Sequence, residues 1–365
     1  MSPQKQAKEY LHLLRRKWNY SRDLLDEKGL SSFEKIQTEL TDIAKAGTPP
    51  EKAEKFLGQL PAQLNKLFPG SDTLGGWVEN IEVLFVAVVI ALALRTYFVQ
   101  PFKIPTHSMR PTLWGIYQEP DKLPSPNVVT QVIDFAIFGK SHHRFVAPED
   151  GTVDSIESWK PLPFLTFTKL CFNGREHYLF TEPKNVLVGA PGINLEQKFK
   201  AGDVVANFSV QAGDHIFVNK MTYNFRLPKQ GEVFVFTTKD IAGLQRQTAG
   251  VTQYYIKRCV GVPGTTLRID EPYLYSNGQQ LHSMAFDRIY SKQDGYTGYV
   301  HAPQANYLVR PQDEISILEN SYWAMGDNSR NSLDSRYWKF VPRENLVGTA
   351  LLVYWPFTKR WGLID

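Results

Sequence analysis

"VLFVAVVIALAL" (Val83–Leu94) followed by "PFKIPTHSMRPTL" (Pro101–Leu113) is the junction on which the reading of this 365-residue chain turns. The first stretch carries no charged or polar side chain, and with Trp77, Tyr97 and Phe98 as flanks the apolar span runs from about Trp77 to Phe102. Crossing a bilayer takes ~20 residues, so a transmembrane helix is expected over 77–100, with Glu79, Glu82 and Arg95 near its ends. The competing reading is a buried helix of a soluble domain, because the uncharged core alone has an ordinary core-helix length. No basic, apolar, small-residue pattern opens the chain, so the segment reads as a retained anchor rather than a cleaved leader.

Outward toward the N-terminus, residues 1–76 read as helical. Leu11, Leu14, Trp18 and Leu25 share one face, and Phe33, Ile36, Leu40 and Ile43 repeat the spacing after a Ser31-x-x-Glu34 capping box. "GTPP" (47–50) stops the second helix and "LFPGSD" (67–72) separates a third from the span. In the other direction "QEPDKLPSPN" (118–127) reads as a linker. From about 145 onward, short alternating runs such as "HIFVNK", "GEVFVF", "YYIKRCVGV" and "GTALLVYW" make the chain mainly β, with a hairpin turning at Asn277-Gly278. "VAPEDGTVDSIESW" and "KAGDVVANFSVQAGD" resemble strands of a biotinyl or lipoyl barrel-sandwich domain. The Met-Lys-Met tip that would carry a prosthetic group is absent, so a small β-module without one is expected within 115–211.

With 42% hydrophobic residues the chain can bury more than one core. A formal charge of +4 with the signs interspersed gives no basic face for nucleic acid. Cys171 and Cys259 are far apart and lack zinc-site spacing, so two isolated core cysteines, no metal and no cofactor are expected.

Which residues carry chemistry? Pro105 and Pro111 bias "KIPTHSMRP" toward an extended backbone, with Thr106 and Ser108 on one face and His107 on the other. Ser108 is then a candidate nucleophile in need of a base. A Ser-His-Asp arrangement would use His107 or His215, and local alternation disfavours it. Lys257, on an alternating apolar strand, is the other candidate. Free lysine titrates near roughly 10.4, and burial lowers that value enough to make the amine a general base. In that window alone, a lysine that snorkels or pairs with an acid is the more ordinary reading.

Four windows occur in order: "IPTHSMRPTL" after the apolar span, "GDHIFVNKMTY" (213–223), "YYIKRCVGVPG" (254–264) and "MGDNSRNSLDSRYWKFVP" (325–342). Together they resemble the bacterial type I signal peptidases. The resemblance implies a mainly β catalytic domain of the signal-peptidase type with an N-terminal helical region and one transmembrane helix. It implies Ser108 as nucleophile, Lys257 as general base, Thr106 and the Ser108 backbone N–H as oxyanion hole, and Ser332 as the group orienting the lysine. Asp327, Asp334 and Arg336 are implied as structural support, the last two as an ion pair. The implied reaction is removal of signal peptides after Ala-x-Ala-type small residues through an acyl-enzyme. Exported preproteins and the lipid bilayer are then the partners, with the secretion translocon as a further candidate. The implied location is the bacterial inner membrane, single-pass, with the catalytic domain on the outer or periplasmic side.

The expected organisation is a cytoplasmic helical region 1–76, the transmembrane helix 77–100, the nucleophile strand 101–114 and an insertion 115–211. A catalytic core at 212–268, a β cap at 269–317 and the rest of the core at 318–365 follow. Two departures stand out: Ser329-Arg330 follows "GDN" where the family has Arg-Asp, and Lys339 replaces a usual glycine after "RYW". The gap between the serine window and "GDHIFVNK" is also far longer than in most relatives. A membrane-bound adaptor that does no chemistry is the alternative class; such adaptors carry a long helical hairpin inside the β-module, and none is visible.

Overall fold

The computed structural model describes residues 2–365 other than 46, 69–70, 122–124, 163–164, 190–194, 196, 246–248 and 293–294. Parts of the expected break at 67–72 and of the expected linker at 118–127 lie outside the described residues, as do the side chains of Trp77 and Glu79. The chain divides into two units, Met1–Leu92 and Ala93–Asp365.

In the first unit, helices Pro3–Ser21, Glu27–Ala44 and Pro50–Leu67 bury one shared cluster that includes Leu14, Phe33, Leu40, Leu57 and Leu60. The Trp18 and Phe33 rings stack with centroids 4.1 Å apart. The second helix does not start at Ser31. Asp26 caps it, accepting from the Gly29 N–H at 2.8 Å, so Ser31 lies one turn inside. An aspartate is as good a cap as a serine, and starting earlier lets Phe33, Ile36, Leu40 and Ile43 all face the cluster. Leu25 falls between the two helices rather than on the face of the first, yet packs on the same cluster.

The apolar helix spans Ser71–Ala93 and runs through a wider-wound turn, Leu94–Phe98, into a strand at Val99–Lys103. Its Asn80–Phe98 part has a mean hydropathy of 2.1 and no buried residue.

Antiparallel pairing organises the second unit. Its largest sheet runs in the order Val99–Lys103, His215–Asn219, Leu346–Trp355, Val233–Thr237, Tyr254–Gly261, Ser321–Met325, Val341–Pro342, with Gly362–Leu363 added beside Leu346–Trp355. Two apolar layers cover it. One contains Ile104, Met109, Leu113, Ile216 and Val235. The other contains Phe234, Phe236, Cys259, Tyr322 and Trp338. A smaller sheet (Thr266–Asp270, Tyr273–Ser276, Gln279–Gln280, Glu314–Ser316) forms the cap, its hairpin turning through Asn277 and Gly278 at φ 49° and 77°.

The long segment between the serine window and His215 folds around a core of its own that includes Phe145, Val153, Leu170, Phe172 and Phe208. The two barrel-sandwich-like stretches meet there, Val146 opposite Val204 and Gly151 opposite Phe199. Two expectations change here. Residues 117–120 are a strand paired with Val204–Gln211 rather than linker, because that strand offers them a ladder. Val128–Phe138, which periodicity left unread, is a helix capped by Asn127 and ended by Gly139 at φ 65°. Both cysteines are free; Cys259 is buried, whereas Cys171 is only half-buried beside Asp154 and is not a core residue.

Buried ion pairs tie the large sheet to the loops around it. Arg258 clasps Asp327 through two bonds of 2.8 and 2.6 Å, and Arg336 clasps Asp334 through two of 2.8 Å, all four side chains shielded from solvent. Removing one partner leaves the other charge buried and uncompensated. Asp327→Ala is therefore expected to cost about 3–5 kcal/mol, and replacing both partners, Arg258→Met with Asp327→Leu, to recover most of it; chemical denaturation measures both. Phe172→Ala in the insertion core is expected to cost about 3–5 kcal/mol. Because its cluster is separate from the sheet bearing Lys257, amide exchange should accelerate within 140–211 and stay unchanged in Tyr254–Gly261.

Candidate active site

Lys257 and Ser108 meet although 149 residues separate them: Nζ lies 2.7 Å from Oγ in a buried contact. Strand Tyr254–Gly261 presents the lysine, paired along its length with Val233–Thr237 so that Lys257 sits opposite Phe234. Only 8% of Ser108 and 5% of Lys257 is exposed. Burial pushes the lysine amine down from its ordinary 10.5 to about 8; Asp334 and Asp327 pull it back in part, and Arg336 lowers it further.

The serine does not lie on an extended strand. The strand ends at Lys103, and Ser108–Thr112 turns, with the Leu113 N–H donating to the Met109 carbonyl at 2.8 Å. This turn buries Met109 and Leu113 completely in the layer beneath the sheet, a gain that outweighs the extended bias of the two prolines. Around this turn Thr106 is exposed and Ser108 is buried.

Asn328 grips this turn. Its backbone N–H donates to the Ser108 carbonyl at 3.0 Å and its side-chain amide to the His107 carbonyl at 3.2 Å. Sequence reasoning passed over Asn328, although its place inside "GDN" was the available signal. Beside it, Gly326 is a position where a side chain has no room. A Cβ there would come within 2.4 Å of the Ser108 carbonyl oxygen and 2.2 Å of the Ser332 Oγ. Ser332 is buried next to this crossing, and among the described residues its hydroxyl has no hydrogen-bond partner.

Arg258 was also passed over. It follows Lys257 and points to the other face of the strand, where it holds Asp327, and Thr112 donates to that same carboxylate at 2.5 Å. Asp334 accepts from the Gly326 N–H at 3.2 Å, and Arg336 reaches the Val300 and Ser329 carbonyls. Ser329 and Lys339, the two departures from the familiar box, are thus both in contact with it: Ser329 receives Arg336, and Lys339 occupies a backbone at φ 76° that favours glycine.

Neither candidate histidine is hydrogen-bonded to Ser108 among the described residues. His107 packs against Tyr117, its Nε2 buried and without a hydrogen-bond partner among the described residues, with burial and then Arg110 lowering its pKa. His215 stacks on Tyr354 and Trp355.

Two strand edges flank the pair. Val99–Lys103 closes one end of the large sheet, and along Tyr254–Gly261 the strand Ser321–Met325 pairs with Arg258–Gly261, so that among the described residues no strand lies beside this edge of Tyr254–Lys257. The sheet curls enough that Phe102 and Tyr254, from these two strands, bring their rings to 5.1 Å. Among the described residues no cluster of His, Cys, Asp and Glu is arranged to hold a metal ion.

Comparison with known proteins identifies the family. The family described as signal peptidase, peptidase S26, matches residues 77–119 and 198–355, more than half the chain. A probable signal peptidase I-2 from Synechocystis is 33% identical over 43% of this chain and 61% of its own length. Signal peptidase I from Pseudomonas aeruginosa is 34% identical over 42% and 64%. The Buchnera aphidicola signal peptidase I, at 25% identity, spans 77% of this chain and 76% of that protein. The chain thus spans somewhat less than two thirds of the Synechocystis and Pseudomonas relatives. By the match over both segments that carry Ser108 and Lys257, this chain belongs to the S26 signal peptidase family.

Proposed function

We propose that this chain is a membrane-anchored serine endopeptidase that removes N-terminal signal peptides from exported preproteins after small residues, using Ser108 and Lys257 as a dyad. The observation that carries the reading is the buried 2.7 Å contact between Lys257 Nζ and Ser108 Oγ, made by an amine whose pKa is pushed down to about 8. At pH 7 roughly a tenth of such an amine is neutral, against about one in a few thousand for free lysine. In the neutral state the serine hydroxyl donates to the amine. Oγ then attacks the scissile carbonyl carbon while its proton passes to Nζ. The ammonium returns that proton to the departing amine of the mature protein, leaving an ester on Ser108. Water, deprotonated by the regenerated lysine, hydrolyses the ester and frees the signal peptide.

The remaining roles follow the same logic. The Ser108 backbone N–H and the Thr106 hydroxyl are assigned to the developing oxyanion, and Ser332, buried with a hydroxyl unpartnered among the described residues, to holding the lysine amine in line. Asp327, Asp334 and Arg336 brace the loop beneath them. A substrate entering as an extended strand between the edges of Val99–Lys103 and Tyr254–Lys257 would lead its backbone to the pair. Its small side chains would be selected by shallow pockets. The apolar helix Asn80–Phe98 is assigned to the inner membrane, with residues 1–76 in the cytoplasm and the β unit on the outer or periplasmic side. A signal peptide is itself an apolar helix whose cleavage site emerges near the outer surface, and Ser108 follows the apolar helix by ten residues.

The test is incubation of the detergent-solubilised full chain with a synthetic preprotein bearing Ala-x-Ala, with sequencing of the product. A single cut after the second alanine is expected, and no cut, or a cut elsewhere, would overturn the assignment. Ser108→Ala should abolish turnover while the protein still folds; retention of more than about a hundredth of it removes Ser108 from the mechanism. Lys257→Arg should be inactive because a guanidinium stays protonated. The wild-type rate should rise with pH along a limb centred near 8, where the lysine loses its proton. A limb near roughly 6.5 would instead indicate a histidine base.

A further inference from the structure

Within the insertion, helix Val128–Phe138 is built inside out. Its polar residues, Thr130, Gln131 and Asp134, are the half-buried ones, whereas Val128, Val129, Val132, Ile133, Phe135, Ile137 and Phe138 are all exposed. The helix has no buried residue, so apolar burial does not hold it. Polar bonds do. Asp134 accepts from the His142 ring at 2.9 Å, and Gln131 donates to the Pro126 carbonyl at 2.7 Å. At the C-terminal end the Trp355 indole donates to the Ala136 carbonyl at 2.8 Å, the Phe357 N–H to the Ile137 carbonyl at 2.9 Å, and Gln211 to the Phe138 carbonyl. One apolar contact is made, the Phe135 ring lying edge-on to Trp355 with centroids 6.3 Å apart. The side-chain bonds of Gln131 and Asp134 turn the polar residues inward and leave the rest of the apolar face outward, the reverse of a helix on a water-soluble surface.

That face continues onto the neighbouring turn. Phe357 and Trp361, both at least half exposed, bring their rings to 6.0 Å beside the helix C-terminus. The charged residues of the same turn, Lys359 and Arg360, are cations, Lys359 exposed and Arg360 bonded to Asp214. A hydrocarbon surface bordered by tryptophan and lysine is what an interfacial helix offers to a lipid bilayer. The exposed helical side chains have no donors or acceptors with which the polar rim of a protein interface could pair.

We propose that Val128–Phe138, together with Phe357 and Trp361, is a second membrane contact that lies in the bilayer interface, distinct from the span at Asn80–Phe98. This rests on the reading above that the chain is membrane-anchored, since the unit carrying the helix begins within the apolar span itself. The segment 120–197 lies outside the family match, so the helical part of the contact belongs to this chain's insertion.

The test uses the full chain in vesicles of phosphatidylethanolamine and phosphatidylglycerol, with a polarity-sensitive fluorophore on one introduced cysteine in a Cys171→Ser background. Val132→Cys reports the helix, Lys160→Cys an exposed site elsewhere in the insertion, and Val88→Cys the span. The Val132 probe should shift to the blue and lose most of its emission to nitroxide-bearing lipids, and little to aqueous iodide. The Lys160 probe should do the opposite. If the Val88 probe is reached by the lipid quenchers and the Val132 probe only by iodide, the second contact is overturned while the anchor stands. If the Val88 probe is not reached, the anchor itself fails. Shielding of the Val132 probe from both quenchers would overturn the bilayer in favour of a protein partner.

Discussion

The strand Tyr254–Gly261 must send two neighbouring cations to opposite faces, and most of the second unit is arranged around that constraint. Lys257 goes toward Ser108, where burial pushes its pKa down; Arg258 goes the other way and pairs its charge with Asp327. A buried guanidinium requires full compensation, which Asp327, Thr112 and the Gly231 carbonyl provide. Thr112 belongs to the serine turn and Asp327 to the "GDN" loop, while Gly231 precedes the neighbouring strand Val233–Thr237. Satisfying Arg258 therefore also draws Ser108 and residues 325–336 to the lysine. The second pair, Asp334 with Arg336, secures the far side of the same loop. Asn328 and the side-chain-free Gly326 let it approach the Ser108 carbonyl.

The electrostatics around the lysine balance two demands. Desolvation alone would strip its proton at low pH, and the carboxylates of Asp334 and Asp327 alone would hold it. Because each of these acids is already clasped by an arginine, its pull on the amine is partly cancelled, and Arg336 appears directly among the influences that lower the lysine. The ion pairs are thus more than braces. They let two carboxylates lie near a buried amine without restoring its ordinary pKa.

How far was this legible in the residues alone? The serine and lysine windows said little one by one and could be read only as a set, through the resemblance of four ordered windows to a known family, whereas the alternating strands around them announce themselves by a period of two. Arg258 was missed although alternation places it on the opposite face from Lys257, where a buried arginine calls for an acid. The segment 104–111 was misread because two prolines favour extension locally, whereas the burial of Met109 and Leu113 is a gain that only the assembled core provides. The helix at 128–138 had its cap at Asn127 and its stop at Gly139, but the preceding run of Pro, Ser and Asn argued for a linker. Periodicity marks an apolar stripe and does not say which way it faces. In this helix it faces out.

An insertion of this size beside a catalytic turn raises the question of how the turn keeps its geometry. Asp214 supplies the physical answer. Fully buried at the point where the insertion returns, it exchanges backbone bonds of 2.8 and 2.9 Å with Trp114 and Ile104, on either side of the serine turn, and its carboxylate accepts from the Trp114 N–H. The same carboxylate receives the Arg360 guanidinium through bonds of 2.9 Å. The chain therefore leaves and re-enters at adjacent, hydrogen-bonded residues, so whatever is spliced between them closes a loop whose ends are already fixed. Lengthening such a loop costs only about 0.6 kcal/mol per doubling. A module with its own core can then be accommodated there without moving Ser108, and the family match can stop at residue 119 and resume at 198 with the serine and lysine still in contact.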